Sequence, residues 1–473
     1  MPIEGMIKRI RNVMRQDEGI GGDAQRIEQI VWLLFLKIFD DQEKIRELEN
    51  LSYSSPFPEN IRWRNWASDK EGITGEELLS FVNTTLFPTL KKLETEREDA
   101  LFVREMFSEA YNYMKSGTLL RQVINEINEI DFTKNKDRHH LNDIYETILK
   151  GLQNAGSYGE FYTPRPLTKF IIETLDPKIG ETLFDPACGT GGFLINALEY
   201  LKETKEKTTE DRKKIHESIR GCEIKHLPYL LASTNLILHG VEIPDNIKHD
   251  DMLAKSYQEY TAKDRVDIIV ANPPFGGAVK DGVEQNFPAD FRTKATELLF
   301  LFLFVHLLRD GGRAGIVLPD GVLFAEGVAT RIKKHLLETC NLHTIVRLPQ
   351  GVFSPYAGVN TNLLFFTKGE PTKEIWYYKL PLPKDLKTQY TKNRGITDEE
   401  FTPLKKWWND RKENEYAWKV SREEIEKKDF NLDSKHPASA QTEIHREPKE
   451  ILEGIEEREK EIMKLVEELK KEI

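Results

Sequence analysis

The sequence predicts an α/β protein, in which a helical domain precedes a sheet with helices on both faces and a charged helical tail follows. Between about residues 150 and 385, short apolar runs alternate with helical stretches and turns. Strands that alternate with helices in this way form a parallel sheet between two helical layers. The chain before this region has helical periodicity, and the chain after it is highly charged. We therefore expect domains at 1–148, 149–385 and 386–473.

The N-terminal region has the apolar spacing of buried helices. Five aliphatic residues recur at helical spacing: Ile27, Ile30, Val31, Leu34 and Ile38. Similar patterns occur near Leu78–Leu93, where Pro88 predicts a break, and at Leu120–Ile130.

The net charge limits how the protein can bind nucleic acid. The chain has 473 residues and a formal net charge of −11. Lys and Arg side chains bind DNA phosphates by displacing counterions. An acidic chain is therefore not expected to bind DNA strongly by itself, and a basic partner or a local basic groove would have to supply the affinity.

Three features predict a cytoplasmic protein without a metal site. The three cysteines are far apart, and none forms the CxxC pair that a zinc site would use. The N-terminus is too charged for a signal peptide. The most apolar run, Leu298 to Leu308, is far shorter than the roughly 18 residues of a membrane span and is read as a buried core helix.

Six apolar runs are the predicted strands of the central sheet. They are Thr182–Phe184, Ile219–Cys222, Ile268–Ala271, Ala314–Leu318, Thr344–Leu348 and Asn362–Phe366. In open parallel sheets, ligands bind in the loops after the carboxyl ends of the strands. The informative motifs of this sequence follow two of these runs.

The first motif joins the run ending at Phe184 to a helix. It reads Asp-Pro-Ala-Cys-Gly-Thr-Gly-Gly and spans 185–192. Glycines allow close backbone approach to a ligand, and the helix N-terminus offers free N–H groups to an anion. Position 194 is Leu, so the GxGxxG pattern of dinucleotide sites is absent. Glu223, after the next strand, is placed to bind ribose hydroxyls.

The second motif, Asn272-Pro273-Pro274-Phe275, follows the run Ile268–Ala271. Two prolines stiffen the turn, so the Asn side chain and nearby carbonyls are fixed in position. Two fixed acceptors suit a planar amino group, and Phe275 gives a flipped base a face to stack on. The alternative is a rigid surface turn, which the first motif on the same sheet edge disfavours.

Together these motifs resemble the N6-adenine DNA methyltransferases of the gamma arrangement, in which the cofactor motif precedes the catalytic one. The segment 159–164, Gly-Glu-Phe-Tyr-Thr-Pro, resembles the part of that family that closes over the cofactor's methionine end. The segments 348–353 and 358–362 resemble the modification (M) subunits of type I restriction–modification systems. The resemblance implies a Rossmann-like S-adenosylmethionine-dependent methyltransferase domain.

The resemblance also implies the site residues. Asn272, Pro273, Pro274 and Phe275 would be catalytic. The cofactor S-adenosyl-L-methionine would be bound by Phe161, Tyr162, Thr163, Pro164, Asp185, Pro186, Gly189, Thr190, Gly191, Gly192, Glu223 and Asp251. Asp250 is a rival to Asp251, because it stands where the family usually has Gly.

The expected partners follow from the same resemblance. They are DNA, a specificity (S) subunit that reads the sequence, a second M subunit and a restriction (R) subunit, with no membrane. A heptad seam in 446–473 predicts a helix there, which is either a partner-binding helix or a tail helix packed on its own domain. Two rival hypotheses are methylation of a protein glutamine amide, for which Tyr would be usual at position 275, and a cofactor-binding assembly subunit with a decayed site.

Overall fold

The computed structural model describes residues 3–93, 96–132, 162–354 and 358–438, together with the isolated positions 459 and 463. The predicted partner-binding helix at 446–473 lies outside the described residues, apart from those two positions. In the described part, an N-terminal helical region is followed by helices around one sheet. The predicted α/β architecture with an N-terminal helical region is thus confirmed.

The N-terminal region consists of helices packed around a long central one. They are α1 (Ile3–Met14), α2 (Asp23–Glu49), α3 (Trp63–Trp66), α4 (Gly75–Ser80), α5 (Phe87–Lys91), α6 (Glu98–Phe107) and α7 (Gly117–Asn128). The middle of α2 is buried on all sides, because apolar residues occupy more than one face of it.

The break predicted at Pro88 is wrong. The chain stays helical through this position: a π-helical turn, Phe81–Leu86, joins α4 to α5. Pro88 lies in the first turn of α5, directly after the π-helical turn, which interrupts the regular α-helical hydrogen bonds at this point.

A nine-stranded sheet forms the centre of the rest of the described chain. Its strands are β1 (Leu183–Asp185), β2 (Ile219–Glu223), β3 (Ile247–His249), β4 (Val266–Ala271), β5 (Leu308–Pro319), β6 (Cys340–Arg347), β7 (Thr361–Lys368), β8 (Glu374–Lys379) and β9 (Ala417–Ser421). Their order in the sheet is β3-β2-β1-β4-β5-β7-β6-β8-β9.

The α-helices of this region cover both faces of the sheet. They are α8 (Arg165–Leu175), α9 (Gly192–Thr204), α10 (Thr209–Ser218), α11 (His226–Leu238), α12 (Thr296–Leu307), α13 (Asp320–Phe324), α14 (Val328–Thr339), α15 (Thr402–Asn409) and α16 (Arg422–Lys427). Short 3₁₀ turns occur at Glu59–Ile61, Tyr257–Glu259, Ala262–Asp264, Val283–Asn286, Ala289–Phe291 and Asp398–Phe401.

The sheet is mixed, whereas the sequence predicted a parallel one. Strands β1 to β5 are parallel, but β7 runs antiparallel to both of its neighbours and β9 antiparallel to β8. The described residues between β6 and β7 contain no helix to carry the chain across the sheet, so β7 returns beside β6 in the opposite direction.

Three strands were missed because their sequences carry weak signals. β3 is only three residues long and contains Lys and His, and β8 and β9 mix aromatic with charged residues. β9 lies beyond position 385, so the sheet continues into the segment predicted as a C-terminal extension.

Two apolar cores lie on the two faces of the sheet. The first includes α8, α9 and α11 and is continuous with the N-terminal helices. Hydrogen bonds join the two regions: Gln42 donates to the carbonyl of Ile237 (3.1 Å) and Arg46 to that of Glu242 (2.9 Å). The second core includes α12, whose apolar residues are buried, as expected for the run Leu298 to Leu308.

None of the helices in the described residues has both the length and the apolar character that a membrane span requires.

Candidate active site

A cavity of about 340 Å³ opens at the carboxyl ends of β1, β2, β3 and β4. It lies between the first motif, Asp185–Gly192, and the turn that begins at Asn272. Its volume is within the range of small-ligand sites. The edge of the sheet at which the cavity lies is the one that the parallel strand pattern predicted for a ligand.

The first motif forms the floor of this cavity. Asp185 ends β1, and α9 begins at Gly192, so the glycines fill the connecting turn. Gly191 has a left-handed φ of 80°, and a Cβ there would lie 3.2 Å from the Cβ of Ala232 on α11. A side chain at 191 would therefore strain the backbone and push α11 away from the turn.

Two buried carboxyl groups face the cavity. The Glu223 carboxylate accepts the N–H of Gly189 (2.9 Å) and the N–H of Lys225 (2.8 Å). Asp185 accepts the N–H of Ala187 at 3.1 Å. Burial raises the pKa of Glu223 and raises the pKa of Asp185 well above its usual range, where the nearby Glu223 charge acts in the same direction. Both groups retain lone pairs for a ligand's hydroxyl or amino donors.

The amide of Asn272 has one end bonded and the other end free. Asn272 follows β4, and its Nδ2 donates to Oγ1 of Thr163 at 3.0 Å. Its Oδ1 is buried and has no hydrogen-bond partner in the described residues. Because Thr163 occupies the donor end, the oxygen is left as an acceptor for an incoming N–H group. A buried acceptor without a partner costs about 1–3 kcal/mol, which a bound donor would recover.

An aromatic pair includes Phe275, three residues after Asn272 in the chain. The rings of Phe275 and Phe353 meet edge to face, with centroids 5.8 Å apart and planes at 82°. Phe353 comes from the segment 348–353 that follows β6. Phe275 is half-buried, Pro273 is buried and Pro274 is exposed toward the cavity.

The structure brings most of the predicted site residues to this cavity. Those that line it are Thr163, Asp185, Pro186, Gly189, Gly192, Glu223, Asp251, Asn272 and Pro274, and the rival Asp250 lines it too. Those that do not line it are Tyr162, Pro164, Thr190, Gly191, Pro273 and Phe275. Phe161 lies outside the described residues.

Several lining residues were missed by the sequence reasoning. They are Ala187, Cys188, Phe193, Ile224, Lys225, Met252, Leu253, Gly277, Ala278, Val279, Lys280, Val283, Thr296 and Phe300. Most are apolar, and apolar residues in a cavity lining do not form a recognisable sequence motif. One signal was available in the sequence: Ile224 directly follows the predicted ribose-binding Glu223. In the structure, Ile224 is 51% exposed, which is unusual for Ile.

No group of three or more His, Cys, Asp or Glu side chains arranged to bind a metal ion occurs in the ranges that the structure describes.

Comparison with known proteins identifies the family of both regions. A family model described as N-6 DNA Methylase matches residues 136–446, and one described as HsdM N-terminal domain matches residues 3–127. The chain is 52% identical to the type I restriction enzyme EcoEI methylase subunit of Escherichia coli over 462 residues, which cover 96% of this chain and 94% of that protein. It is 30% identical to the EcoKI methylase subunit of Escherichia coli K12, over 84% of this chain and 76% of that protein.

Solved structures agree with this assignment. A modification subunit assigned to a type I restriction enzyme from Vibrio vulnificus YJ016 superposes with a TM-score of 0.85 and 42% identity, over 94% of this chain and 98% of that one. A chain from a type I restriction–modification system, solved for its complex assembly, has a TM-score of 0.82 and 38% identity, over 98% and 96% of the two chains. The chain therefore belongs to the N-6 DNA methylase family, among the methylase subunits of type I restriction enzymes.

Proposed function

We propose that this protein transfers a methyl group from S-adenosylmethionine to the N6 amino group of adenine in double-stranded DNA, as the modification subunit of a type I restriction–modification complex. The observation that carries the proposal is the amide of Asn272. Its Nδ2 end is bonded to Thr163, and its buried Oδ1 has no partner in the described residues. A fixed, unpaired acceptor at the carboxyl end of β4 suits the amino group of a flipped adenine.

The residues around the cavity fit S-adenosylmethionine. Asp185 and Glu223 offer carboxylate acceptors, and Asp250 and Asp251 add two more acidic groups to the lining. The ligand has hydroxyl and ammonium donors and a positive sulfonium, for which acidic acceptors are complementary. Ile224 and Phe300 add apolar surface. Either Asp251 or Asp250 would contact the adenine ring of S-adenosylmethionine.

The chain's own residues would act by positioning and by accepting hydrogen bonds. When bound, S-adenosylmethionine supplies a methyl group on a positively charged sulfur, which an amine nitrogen can accept. Asn272 Oδ1 and the carbonyl of Pro273 would accept hydrogen bonds from the two amino N–H groups of adenine, which shifts electron density onto its nitrogen. The ring of Phe275 would stack on the base, and fixed orientation would supply much of the rate.

Partner dependence is part of the proposal. The relatives are methylase subunits of type I restriction enzymes, and this chain carries a net charge of −11. Weak intrinsic DNA binding suits a subunit whose sequence reading comes from a specificity subunit. The full complex would add a second M subunit and an R subunit. A cytoplasmic location completes the proposal, and three buried cysteines without disulfides support it.

Transfer of labelled methyl groups from S-adenosylmethionine tests the proposal. The protein, alone and with its S subunit, is given either genomic DNA or protein as substrate. We expect N6-methyladenine in DNA only when the S subunit is present. Label in protein glutamine, or no label in any mixture, would contradict the proposed function.

The Asn272→Ala variant tests the role of the amide. Loss of one fixed acceptor should lower kcat by about 10²-fold or more, in the range seen for single electrostatic groups at active sites. The dissociation constant for S-adenosylmethionine, measured by calorimetry, should stay within about twofold, because carboxylates on other strands bind the cofactor. Equal losses of cofactor binding and of turnover would contradict the role.

A further inference from the structure

One part of the loop between β8 and α15 carries a local excess of positive charge, whereas the end of the loop holds Asp398, Glu399 and Glu400. Within 380–396, here called the basic loop, lie Lys384, Lys387, Lys392 and Arg394, against the single carboxylate of Asp385. This composition contrasts with the net charge of −11 for the whole chain. The loop therefore departs in sign from the average surface of the protein.

The basic loop lies at the sheet edge that holds the candidate active site. It begins where β8 ends, and β8 is parallel to β6. Leu380 donates its N–H to the carbonyl of Arg347 (2.9 Å), and Tyr390 donates its N–H to that of Gln350 (3.0 Å). The segment 348–353 thus joins the loop to Phe353, whose ring meets that of Phe275.

Internal contacts give this loop a defined shape. Leu386 donates its N–H to Pro383 (3.0 Å), which closes a turn around Lys384. Thr391 and Arg394 bond each other's backbone at 3.0 and 3.1 Å, which places Lys392 in the tip of a second turn. Such backbone-bonded turns fix the direction of the side chains at their tips.

In the basic loop, Arg394 is ion-paired within the protein, whereas the lysines are exposed to solvent. Arg394 pairs with Asp385 (2.9 Å) and with Glu400 (2.5 Å), and Glu400 also accepts the Tyr390 hydroxyl at 2.5 Å. The lysines at 384, 387 and 392 are exposed and form no ion pair within the ranges that the structure describes. Arg394 is thus shared between Asp385 and Glu400, and the three lysines remain available to an outside partner.

We propose that Lys384, Lys387 and Lys392 contact DNA phosphates next to the flipped adenine. This inference rests on the proposed function and adds a phosphate-binding element to it. Exposed ammonium groups bind phosphates by releasing counterions, with little requirement for base sequence. The sequence-independent contact would hold the DNA backbone beside Asn272 and Phe275, while base reading remains with the S subunit.

The test compares two triple variants in complex with the S subunit. The first is Lys384→Gln, Lys387→Gln and Lys392→Gln. The matched control is Lys207→Gln, Lys213→Gln and Lys214→Gln, which removes the same charge from exposed lysines around α10. Helix α10 leads into the beginning of β2, so the control lysines lie toward the opposite edge of the sheet. DNA affinity is measured against salt concentration for each complex.

Phosphate contact predicts a change in the salt dependence. Each lost phosphate contact makes the negative slope of log K against log salt less steep by about 0.9. The loop variant should therefore have a slope about two to three units less negative and bind DNA roughly tenfold or more weakly at low salt. The control should keep the wild-type slope within about half a unit. A loop variant with the wild-type slope would overturn the proposal. Failure of that variant to assemble with the S subunit would overturn it in favour of a protein interface.

Different results would contradict the proposed function and the phosphate contact of the basic loop. A wild-type complex that binds DNA but forms no N6-methyladenine contradicts the proposed function, and the slopes of the two variants still decide whether the loop contacts phosphate. A loop variant that methylates DNA with an unchanged slope contradicts only the phosphate contact. Cofactor affinity, which should be equal in all three proteins, checks that the folded site is intact.

Discussion

The side-chain amide of Asn272 would distinguish donor from acceptor only while its orientation is fixed. A free amide can rotate by 180° and exchange the positions of its oxygen and nitrogen. The hydroxyl of Thr163 accepts from Nδ2 at 3.0 Å, which directs Oδ1 away from it. Thr163 is therefore a positioning residue for Asn272, in addition to lining the cavity.

Thr163→Val should separate positioning from cofactor binding. Valine keeps the shape of threonine but cannot accept the Asn272 hydrogen bond, so kcat should fall by about ten- to hundredfold through misorientation. Thr163→Ser retains the hydroxyl and should restore most of that rate. Steady-state kinetics with DNA and the S subunit measures both. Equal kcat values for the Val and Ser variants would show that the hydroxyl has no positioning role.

The buried carboxyl groups predict that cofactor affinity depends on pH. Burial raises the pKa of Glu223, so its carboxyl binds a proton at higher pH than an ordinary one. Ribose hydroxyls donate to the ionised form, so affinity is complete above the raised pKa and is lost as the pH falls through it. Calorimetry between about pH 8 and about pH 4, just below the ordinary pKa of glutamate, measures the effect.

Glu223→Gln provides the control for this pH dependence. The variant should bind more weakly at high pH and have a shallower dependence, with Asp185 accounting for the remainder. Wild-type affinity that is constant down to about pH 4.3, the ordinary pKa of glutamate, would be inconsistent with a ribose-binding Glu223 of raised pKa.

At the scale of elements, the segment 348–353 joins the end of β6 to Phe275 and to the basic loop. It follows β6, it carries Phe353 to the ring of Phe275, and its backbone bonds the basic loop. Gly351 makes this packing possible, because it has a left-handed φ of 81° and a Cβ there would lie 2.3 Å from the carbonyl oxygen of Tyr390. Only a glycine allows the two backbones to approach so closely.

Gly351→Ala should therefore displace the basic loop and destabilise the fold. Left-handed strain costs about 1–2 kcal/mol and the backbone clash adds to it, so Tm should fall by several degrees. Gly395→Ala in the same loop meets nothing within 4 Å and has no left-handed φ, so its Tm should be nearly unchanged. Thermal unfolding by circular dichroism compares the two. Similar Tm values for both variants would mean that the contact at 351 is not needed.

At the scale of the whole molecule, the sheet does not end at the predicted boundary of 385. β9 pairs with β8 along its whole length, and the rings of Tyr377 and Trp418 stack with centroids 5.3 Å apart. Further residues beyond 385 are buried in the two cores: Phe401, Leu404, Trp407, Val420, Ile425 and Leu432. Each buried side chain contributes about 1.5–3 kcal/mol, so together they contribute as much as the roughly 5–15 kcal/mol of a typical net stability.

Two truncations test this extension of the sheet. A chain ending at 385 should fail to fold, whereas a chain ending at 445 retains β9 and its packing and should fold and bind S-adenosylmethionine. The chain ending at 445 lacks the predicted partner helix at 446–473, so it should not assemble with the S subunit. Calorimetry and gel filtration with the S subunit measure these properties. Normal assembly of the 445 variant would refute the predicted helix contact.

The sequence alone was sufficient for the class of protein and for the two central motifs. Asp185–Gly192 and Asn272–Phe275 are continuous in the chain, and their chemistry depends on residue types at fixed short spacing. The helical N-terminal region and the six main strands were also predictable, because apolar periodicity reports local burial. These features are encoded within a few residues of one another.

The tertiary structure decided which of these residues meet. Thr163 and Asn272 are 109 residues apart, and only the packing around β4 brings their side chains together. Strand direction, the continuation of the sheet into β9 and the hydrogen bond between Tyr390 of the basic loop and Gln350 depend in the same way on how distant segments pair. A sequence pattern reports what each segment buries, whereas contacts between segments depend on the free energy of the assembled fold.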